Sequence, residues 1–326
     1  MIAGRTHPTF DRIDVEAIKA QVSLRDVVAR RVQLKPRGRE FLGLCPFHDE
    51  RTASFGISED KGMFHCFGCG ANGDVIRFVM LSEGLEFLEA ARWLQGGDFP
   101  AVDPLVRQAA LIRDDAERLA KIADAQALWS SAIPAAGTPA TVYARSRGIT
   151  APLPGSIRYA RTWAWKDYDT GKVGPELPAL VGAVQDVSGK VMGVQRIFLK
   201  PDGSGKADMR APKRSLGQLA GCAMRLGRAA PHIVVVEGPE DGLTLAQGLP
   251  DVSIWVACGT AMMSLLQLPE VVTTVTLAGD NNAPGRFAVE TAGAAFVAQG
   301  REVRTMFPDP AFADFNDELR GIRSER

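Results

Sequence analysis

The sequence predicts an α/β fold with a mostly parallel sheet in the last third of the chain, preceded by a cysteine-rich lobe and a basic α+β region. The short β-branched run Ile233–Val236 is typical of a strand buried on both faces. Residues 253–259 and 271–280 are similarly apolar and predict two more strands. Helical patterns follow at 240–247 and at about 286–299. Alternating strands and helices favour a parallel sheet.

Acidic side chains follow these strands where each one ends. Glu237 comes directly after the first strand, and Asp280 closes the strand at 271–280. A further strand at 302–307 leads to Asp314 and Asp317. Ligands of open α/β sheets bind at the carboxyl ends of the strands, and Mg²⁺ prefers such hard oxygen ligands. A single acid at such a place is more often a turn or cap residue, but several in matching positions favour a metal site.

Two pairs of metal-ligand residues lie in the N-terminal part of the chain. Cys45 is paired with His48 and Cys66 with Cys69, and 17 residues separate the pairs. This spacing predicts a structural zinc ion held by three thiolates and one imidazole, with no open position. His65 is an alternative ligand, and His48 is preferred because it completes a pair with two intervening residues. The alternative to zinc is a set of buried free cysteines.

The composition limits the class of protein. With 46% hydrophobic and 23% charged residues, the chain has the make-up of a globular protein, and 326 residues are enough for two or three domains. It has no apolar run of 18 residues and no apolar signal core, so we expect a cytoplasmic protein without a membrane span. Five cysteines then favour metal binding or packing over disulfides.

The charges are unevenly distributed although the net charge is zero. Residues 139–230 carry 15 Lys and Arg against 6 Asp and Glu, whereas residues 231–326 carry 6 against 13. A basic region beside an acidic one fits phosphate binding next to metal ligands. The alternative is that both are solvated faces.

Local patterns predict the remaining elements. A break near Gly84 divides one helical stretch in two, and Ser23 is a candidate helix cap. The expected elements are helices within 13–34, a strand at about 40–44, two helices within 73–94, a helical connector at 103–132, and a hairpin of strands 179–185 and 190–199.

Longer motifs resemble a known family. The segments CPFHDERTASF and FHCFGCGANGDVIRFVM closely resemble the CHC2-type zinc-binding domain of DnaG-type DNA primases. The segments IVVVEGPEDGLTLAQG, TLAGDNNAPGR and DFNDEL resemble the Toprim fold of the same enzymes. The middle region is similar to primase-like proteins of plasmids and prophages. The resemblance implies four parts: a zinc-binding domain at 1–100, a connector at 101–138, a basic subdomain at 139–230 and a Toprim domain at 231–326.

The resemblance also implies an activity, which is template-directed synthesis of RNA primers. Expected partners are single-stranded DNA, nucleoside triphosphates and a separate replicative helicase, and expected metals are structural zinc and catalytic Mg²⁺ or Mn²⁺. The implied catalytic residues are Glu237, Asp241 and Asp280. The implied magnesium ligands are Glu237, Asp280, Asn282, Asp314 and Asp317. The implied contacts to template and nucleotide are Arg145, Arg147, Arg196, Lys213 and Arg214.

The Toprim motif departs from the family pattern at one of its acidic positions. Asn282 stands where the second acid of the Toprim D-x-D pair is expected, so one negative charge is missing. This departure keeps open a non-catalytic nucleic-acid-binding replication factor as an alternative. A Toprim nuclease is a third possibility, because the same acids can cleave phosphodiesters.

Overall fold

The chain forms two units, Met1–Asp115 and Ala116–Arg326, and each has a sheet of its own. The computed structural model describes residues 14–37, 40–50, 52–97 and 104–324, with the backbone alone described for 104–111. The predicted end of the first domain at residue 100 lies outside these ranges, and the division into four parts stays a prediction. Within the same ranges no helix has the length and apolar character that crossing a membrane requires.

The first unit folds around five short antiparallel strands that follow one another in chain order. Ser23 caps the second helix by accepting a hydrogen bond from the N–H of Asp26, as the sequence predicts. Gly84 ends the third helix with a left-handed φ of 67°, at the predicted break. The elements are α1 Val15–Gln21, α2 Leu24–Ala29, β1 Lys35–Arg37, β2 Glu40–Gly43, β3 Phe55–Ser58, β4 Met63–Cys66, β5 Asn72–Gly73, α3 Val75–Glu83 and α4 Phe87–Gln95.

A single long helix, α5 Pro104–Ser131, occupies the predicted connector. The elements after it are β6 Ile133–Pro134, α6 Pro139–Ser146, β7 Ile157–Trp163, β8 Glu176–Gln185, β9 Val191–Phe198, β10 Lys213–Gly217, β11 Ala223–Arg225, β12 His232–Val236, α7 Pro239–Gly248, β13 Ser253–Val256, α8 Thr260–Met263, β14 Thr274–Ala278, α9 Ala283–Ala298, β15 Glu302–Met306 and α10 Phe315–Arg320.

The second unit has one mixed sheet of ten strands. Strands β12, β13, β14 and β15 pair in parallel, which confirms the predicted parallel sheet. The predicted hairpin is formed by β8 and β9. The short strand β11 pairs with β8 on one side and with β13 on the other, both antiparallel. The basic region and the acidic region therefore share one sheet, which the sequence patterns did not indicate.

Strand β12 lies at the centre of this unit and is buried on both faces. Val234 and Val236 belong to one apolar cluster, together with Leu243 of α7. Ile233 and Val235 belong to the cluster on the other face, which includes residues of α9. Because helices cover both faces, the functional side chains of the parallel strands are confined to the strand ends.

We predict that Gly242→Ala destabilises the second unit. A Cβ at Gly242 would lie 2.4 Å from Cγ2 of Val256, so α7 would have to move away from β13. Overpacking of this kind costs about 1–3 kcal/mol of unfolding free energy. Gly248→Ala, in the same helix, is the matched control, because a Cβ there has nothing within 4 Å. Denaturant unfolding of both variants measures the difference, and equal stabilities would contradict the predicted close packing.

Candidate active site and metal centre

Four ligand atoms meet in the first unit. The thiols of Cys45, Cys66 and Cys69 and a ring nitrogen of His48 all lie within 4.8 Å of one another. The Sγ atoms of Cys45 and Cys69 are 3.8 Å apart, and Nδ1 of His48 is 3.8 Å from Sγ of Cys66. The structure thus brings His48 to the thiols, whereas His65 is not a member of the group. Three sulfurs and one nitrogen are the donor set of a closed structural zinc site.

Surrounding groups hold these ligands in place. Glu50 accepts the N–H of Cys45 at 2.6 Å and lies 3.4 Å from Nε2 of His48, which leaves Nδ1 facing the thiols. The backbone N–H groups of Phe47 and Gly68 donate to the sulfurs of Cys45 and Cys66, each at 3.4 Å. Such outer contacts orient metal ligands and stabilise thiolates, so the residues present fit zinc.

Four carboxylates gather at one end of the parallel strands in the second unit. We call Glu237, Asp241, Asp280 and Asp314 the carboxylate cluster. Burial and then the charge of Asp280 raise the pKa of Glu237, while burial and then Asp314 raise the pKa of Asp280. Burial raises the pKa of Asp241 to about 7, with Asp314 and Asp280 contributing. The carboxylates therefore lie near enough to repel one another.

The loop after β13 supports one member of this cluster. The N–H of Cys258 donates to the carbonyl oxygen of Glu237 at 3.0 Å, and the backbone of Thr260 opposes the rise in the pKa of the Glu237 carboxylate. Cys258 has a φ of 65°, which is costly for a residue other than glycine. The loop is thus held in a strained conformation beside the cluster.

The cluster has the chemistry of a cation site. Oδ1 of Asp280 is buried and has no hydrogen-bond partner among the described residues. A buried carboxylate oxygen without a partner is costly unless a cation or water completes it. Mg²⁺ suits such a cluster, because it binds hard oxygen ligands and usually keeps waters and substrate phosphates in its shell.

Two predicted magnesium ligands serve as helix caps. Oδ1 of Asn282 accepts the N–H of Gly285 at 2.7 Å, and its side chain also hydrogen-bonds Asp280 and opposes the rise in the pKa of that acid. Oδ1 of Asp314 accepts the N–H of Asp317 at 2.7 Å. The amide oxygen of Asn282 is thus used in capping α9, which does not favour it as a metal ligand.

Asp317, which was also predicted to be a magnesium ligand, lies on the first turn of α10. Burial and then Asp314 raise its pKa, and its carboxylate is 3.9 Å from the guanidinium of Arg320. Asp241 is buried, and its Oδ1 accepts the N–H of Asn316 at 2.9 Å. Asp241 within the cluster and Asp317 beside it therefore have part of their bonding capacity already used.

A buried glutamate beside the cluster was missed by the sequence analysis. Glu240 is 6% exposed, and its Oε1 accepts hydrogen bonds from Nζ of Lys206 at 2.7 Å and from the hydroxyl of Tyr143 at 2.9 Å. Nζ of Lys213 lies 3.8 Å from Oε2. Burial alone would raise the pKa of Glu240, but Lys213 and Lys206 outweigh it and hold the pKa at about 2. We call these four residues the Glu240 network.

The predicted contacts to template and nucleotide are not all in one place. Lys213 is at the cluster: its charge opposes the rise in the pKa of Glu237 and Asp280. Arg145 is exposed at the end of α6, and Arg147 follows it, half-buried. Arg214 donates to the backbone carbonyls of residues 164 and 211 at 3.2 and 3.0 Å.

Arg196 requires a correction. Its side chain was predicted to contact template or nucleotide, but it is only 2% exposed. The guanidinium donates to the backbone carbonyl oxygen of Trp163 at 2.9 Å. It lies 4.6 Å from the centre of the Trp163 ring and 5.3 Å from the centre of the Phe198 ring. Because it is enclosed by these aromatic rings, Arg196 is removed from the candidate set.

Comparison with known families agrees with this arrangement. Residues 10–97 match the CHC2 zinc finger family, and residues 232–322 match the Toprim domain family. Residues 120–226 match a domain family of unknown function, DUF7146. The chain thus combines a zinc-ribbon domain with a Toprim domain, as the sequence motifs suggested.

Two individual relatives are both DNA primases. The DNA primase of Geobacillus stearothermophilus is 52% identical over 80 residues, which are 24% of this chain and 13% of that protein. The DNA primase of Enterococcus faecalis is 40% identical over 89 residues, 27% of this chain and 14% of that protein. Over these stretches the chain is similar to bacterial DNA primases. The matched region spans only about an eighth of the length of these relatives.

Solved structures of primases were also matched. The zinc-binding and RNA polymerase domains of the Aquifex aeolicus primase align over 95% of this chain and 82% of theirs, with 20% identity and a TM-score of 0.45. A primase domain from Pseudomonas aeruginosa aligns over 63% of this chain and 75% of its own, with 17% identity and a TM-score of 0.46.

We predict that Cys66→Ser lowers the zinc content and melts the first unit at a lower temperature, because a small metal site contributes directly to folding. Cys222→Ser is the control, since Cys222 is a buried cysteine of the second unit outside the ligand group. Metal analysis and thermal melting report both effects. His65→Gln should retain zinc and His48→Gln should lose it; the reverse pattern would assign the fourth ligand to His65.

Proposed function

We propose that the chain is a DNA primase that synthesises short RNA primers on single-stranded DNA by metal-dependent nucleotidyl transfer. The observation that supports this best is the carboxylate cluster with its unpartnered Asp280 oxygen, placed next to Lys213. A site of this kind can hold a divalent cation and a triphosphate together. The homology to DNA primases favours this use over other phosphoryl chemistry.

The proposed reaction joins an incoming nucleotide to the growing primer. The 3′-hydroxyl oxygen attacks the α-phosphorus, a new O–P bond forms, and the bond to pyrophosphate breaks. Pyrophosphate leaves with the bonding electron pair, and the hydroxyl proton passes to solvent. Such a displacement depends on positioning and charge neutralisation. Mg²⁺ or Mn²⁺, when bound, supplies charge neutralisation and lowers the pKa of the attacking hydroxyl.

The residues of the site divide these tasks. Glu237 and Asp280 hold the metal, and Asp241 and Asp314 complete the negative field around it. Lys213 faces the triphosphate, and the exposed Arg145 is a candidate contact for the template backbone, together with Arg147 and Arg214. The zinc-ribbon domain is a structural module that contributes to nucleic-acid binding. A separate replicative helicase is the proposed partner for strand separation.

Asn282 favours a second candidate, a replication factor that binds nucleic acid without polymerising. Its amide oxygen is used in capping α9, so the cluster lacks the second acid of the D-x-D pair at this position. With one charge fewer, a second metal ion is bound less strongly. Such a protein would bind single-stranded DNA and leave nucleotides unreacted.

We predict that Glu237→Gln and Asp280→Asn each lower primer synthesis by more than about 100-fold, which is the upper range for residues that merely support a metal ligand. Purified protein is incubated with single-stranded DNA, labelled nucleoside triphosphates and Mg²⁺ or Mn²⁺, and the products are separated on a gel. Glu302→Gln is the control, because Glu302 is exposed on β15 of the same sheet.

The same gel separates the candidates. Short, template-dependent oligomers that disappear in both variants support the primase. DNA binding without products from the unchanged chain supports the replication factor, and shortened DNA supports the nuclease. Full synthesis in Glu237→Gln and Asp280→Asn would remove both residues from the proposed site.

We predict that Mg²⁺ raises the melting temperature more at pH 8 than at pH 5. The pKa of Asp241 is raised from 3.8 to about 7 in the folded chain. Without metal the folding stability therefore falls as the pH rises through this window, because the folded chain holds this proton more strongly than the unfolded chain does. Below pH 7 protons compete with the metal for the cluster, and above it they do not. Differential scanning fluorimetry measures the shift, and Asp280→Asn should remove most of it. A shift independent of pH would contradict the assignment.

A further inference from the structure

We propose that Glu240 is a positioning residue that holds Lys206 and Lys213 to bind the triphosphate of the incoming nucleotide, with Tyr143 fixing its carboxylate. This inference rests on the proposed function and assigns a task to a residue outside the metal site. It requires that a buried anion orient two ammonium groups without neutralising both.

The geometry of the Glu240 network supports this. Its members come from four separate segments: α6, the turn after β9, β10 and α7. Lys206 and Tyr143 both donate to Oε1 of Glu240, at 2.7 and 2.9 Å, and Lys213 lies 3.8 Å from Oε2. The carboxylate is thus tightly held on one oxygen, and Lys213 is held more loosely on the other.

The burial pattern gives the network a direction. The Glu240 side chain is 8% exposed, whereas those of Lys206 and Lys213 are 35% and 42% exposed. The anion is therefore inside, and the cations reach solvent. One carboxylate with two ammonium groups carries a net charge of +1. An excess positive charge that faces solvent beside a metal site is suited to the oxygens of a triphosphate.

Lys213 needs this restraint because of its surroundings. A Cβ at Gly238 would lie 3.7 Å from Nζ of Lys213 and 3.3 Å from Oδ2 of Asp241, so the ammonium group reaches the turn that follows β12. The charge of Lys213 already opposes the rise that burial causes in the pKa of Glu237 and of Asp280. Without Glu240 the flexible lysine is free to pair with those acids, which would occupy the metal site and withdraw the charge from the nucleotide.

The second unit contains a similar network that provides a matched control. Oδ2 of Asp124, on α5, accepts Nζ of Lys166 at 2.6 Å and the hydroxyl of Tyr168 at 2.8 Å. It has the same three functional groups, but its members come from α5 and from the segment between β7 and β8. A contribution to stability alone would be common to both networks, whereas nucleotide binding is expected of the Glu240 network only.

The test measures binding of α,β-methylene-ATP, which cannot transfer its nucleotidyl group, in the presence of Mg²⁺ and a single-stranded oligo-dT. We expect Glu240→Gln to weaken this binding about tenfold or more, the factor that a hydrogen bond to a charged group supplies. Tyr143→Phe should weaken it in the same direction but less, because the charge of Glu240 remains. Binding of AMP should change little in either variant, and Asp124→Asn should bind the analogue as the unchanged chain does.

The direction of the change distinguishes positioning from simple charge. If Glu240 acted only through its negative charge, its removal beside two lysines would tighten triphosphate binding. Tighter or unchanged binding in Glu240→Gln therefore overturns the proposal, as does an equal loss in Asp124→Asn. Should Glu240→Gln fail to fold, Tyr143→Phe decides, because it keeps the shape of the buried ring.

Primer synthesis separates this inference from the function on which it rests. We expect Glu240→Gln to raise KM for nucleotide with a smaller effect on kcat. Primers from the unchanged chain together with normal analogue binding in Glu240→Gln would refute the role of Glu240 and leave the primase intact. Analogue binding that depends on Glu240 but no primers would support the role of Glu240 and refute the primase. No analogue binding by the unchanged chain would overturn the inference.

Discussion

Repulsion among buried and half-buried carboxylates is the constraint on which this arrangement depends. Glu237 and Asp280 follow neighbouring parallel strands, whose register fixes the backbone on either side. The acids cannot move apart without disrupting the sheet, so burial first and then their mutual repulsion raise the pKa values of Glu237 and Asp280. A cluster held in this way is stabilised by protons or by nearby positive charge, and Lys213 supplies part of that charge. The proposed divalent cation would supply the rest and leave the carboxylates ionised.

The shared sheet explains why a lysine side chain lies beside the carboxylate cluster. The basic strands are continuous with the acidic ones through β11, so Lys213 and the cluster belong to one rigid framework. Two separate domains would have to order their mutual orientation each time nucleotide bound. A continuous sheet avoids that entropic cost, because the positive and negative groups are in place before any ligand arrives.

Local patterns in the sequence were sufficient to predict much of the fold and of the two candidate sites. Strand β12, the acids at the strand ends and the two ligand pairs of the zinc site follow from the spacing of neighbouring residues. Contacts between distant residues did not follow: Tyr143 and Glu240 are 97 positions apart and meet only in the folded chain. The prediction that Arg196 contacts template or nucleotide was wrong for a related reason. A basic side chain is expected at the surface, and only the fold reveals that Trp163 encloses it.

Asn282 shows how the same constraint bears on the number of metal ions. An aspartate at this position would add a further negative charge to a cluster whose members already repel one another. Asn282 removes that charge and hydrogen-bonds Asp280, which favours the ionised form of the acid. In the proposed metal site, Asn282 would therefore lower the affinity for a second cation while making Asp280 easier to deprotonate. Such a site would suit one metal ion, with the lysines of the Glu240 network as the proposed source of the second positive charge.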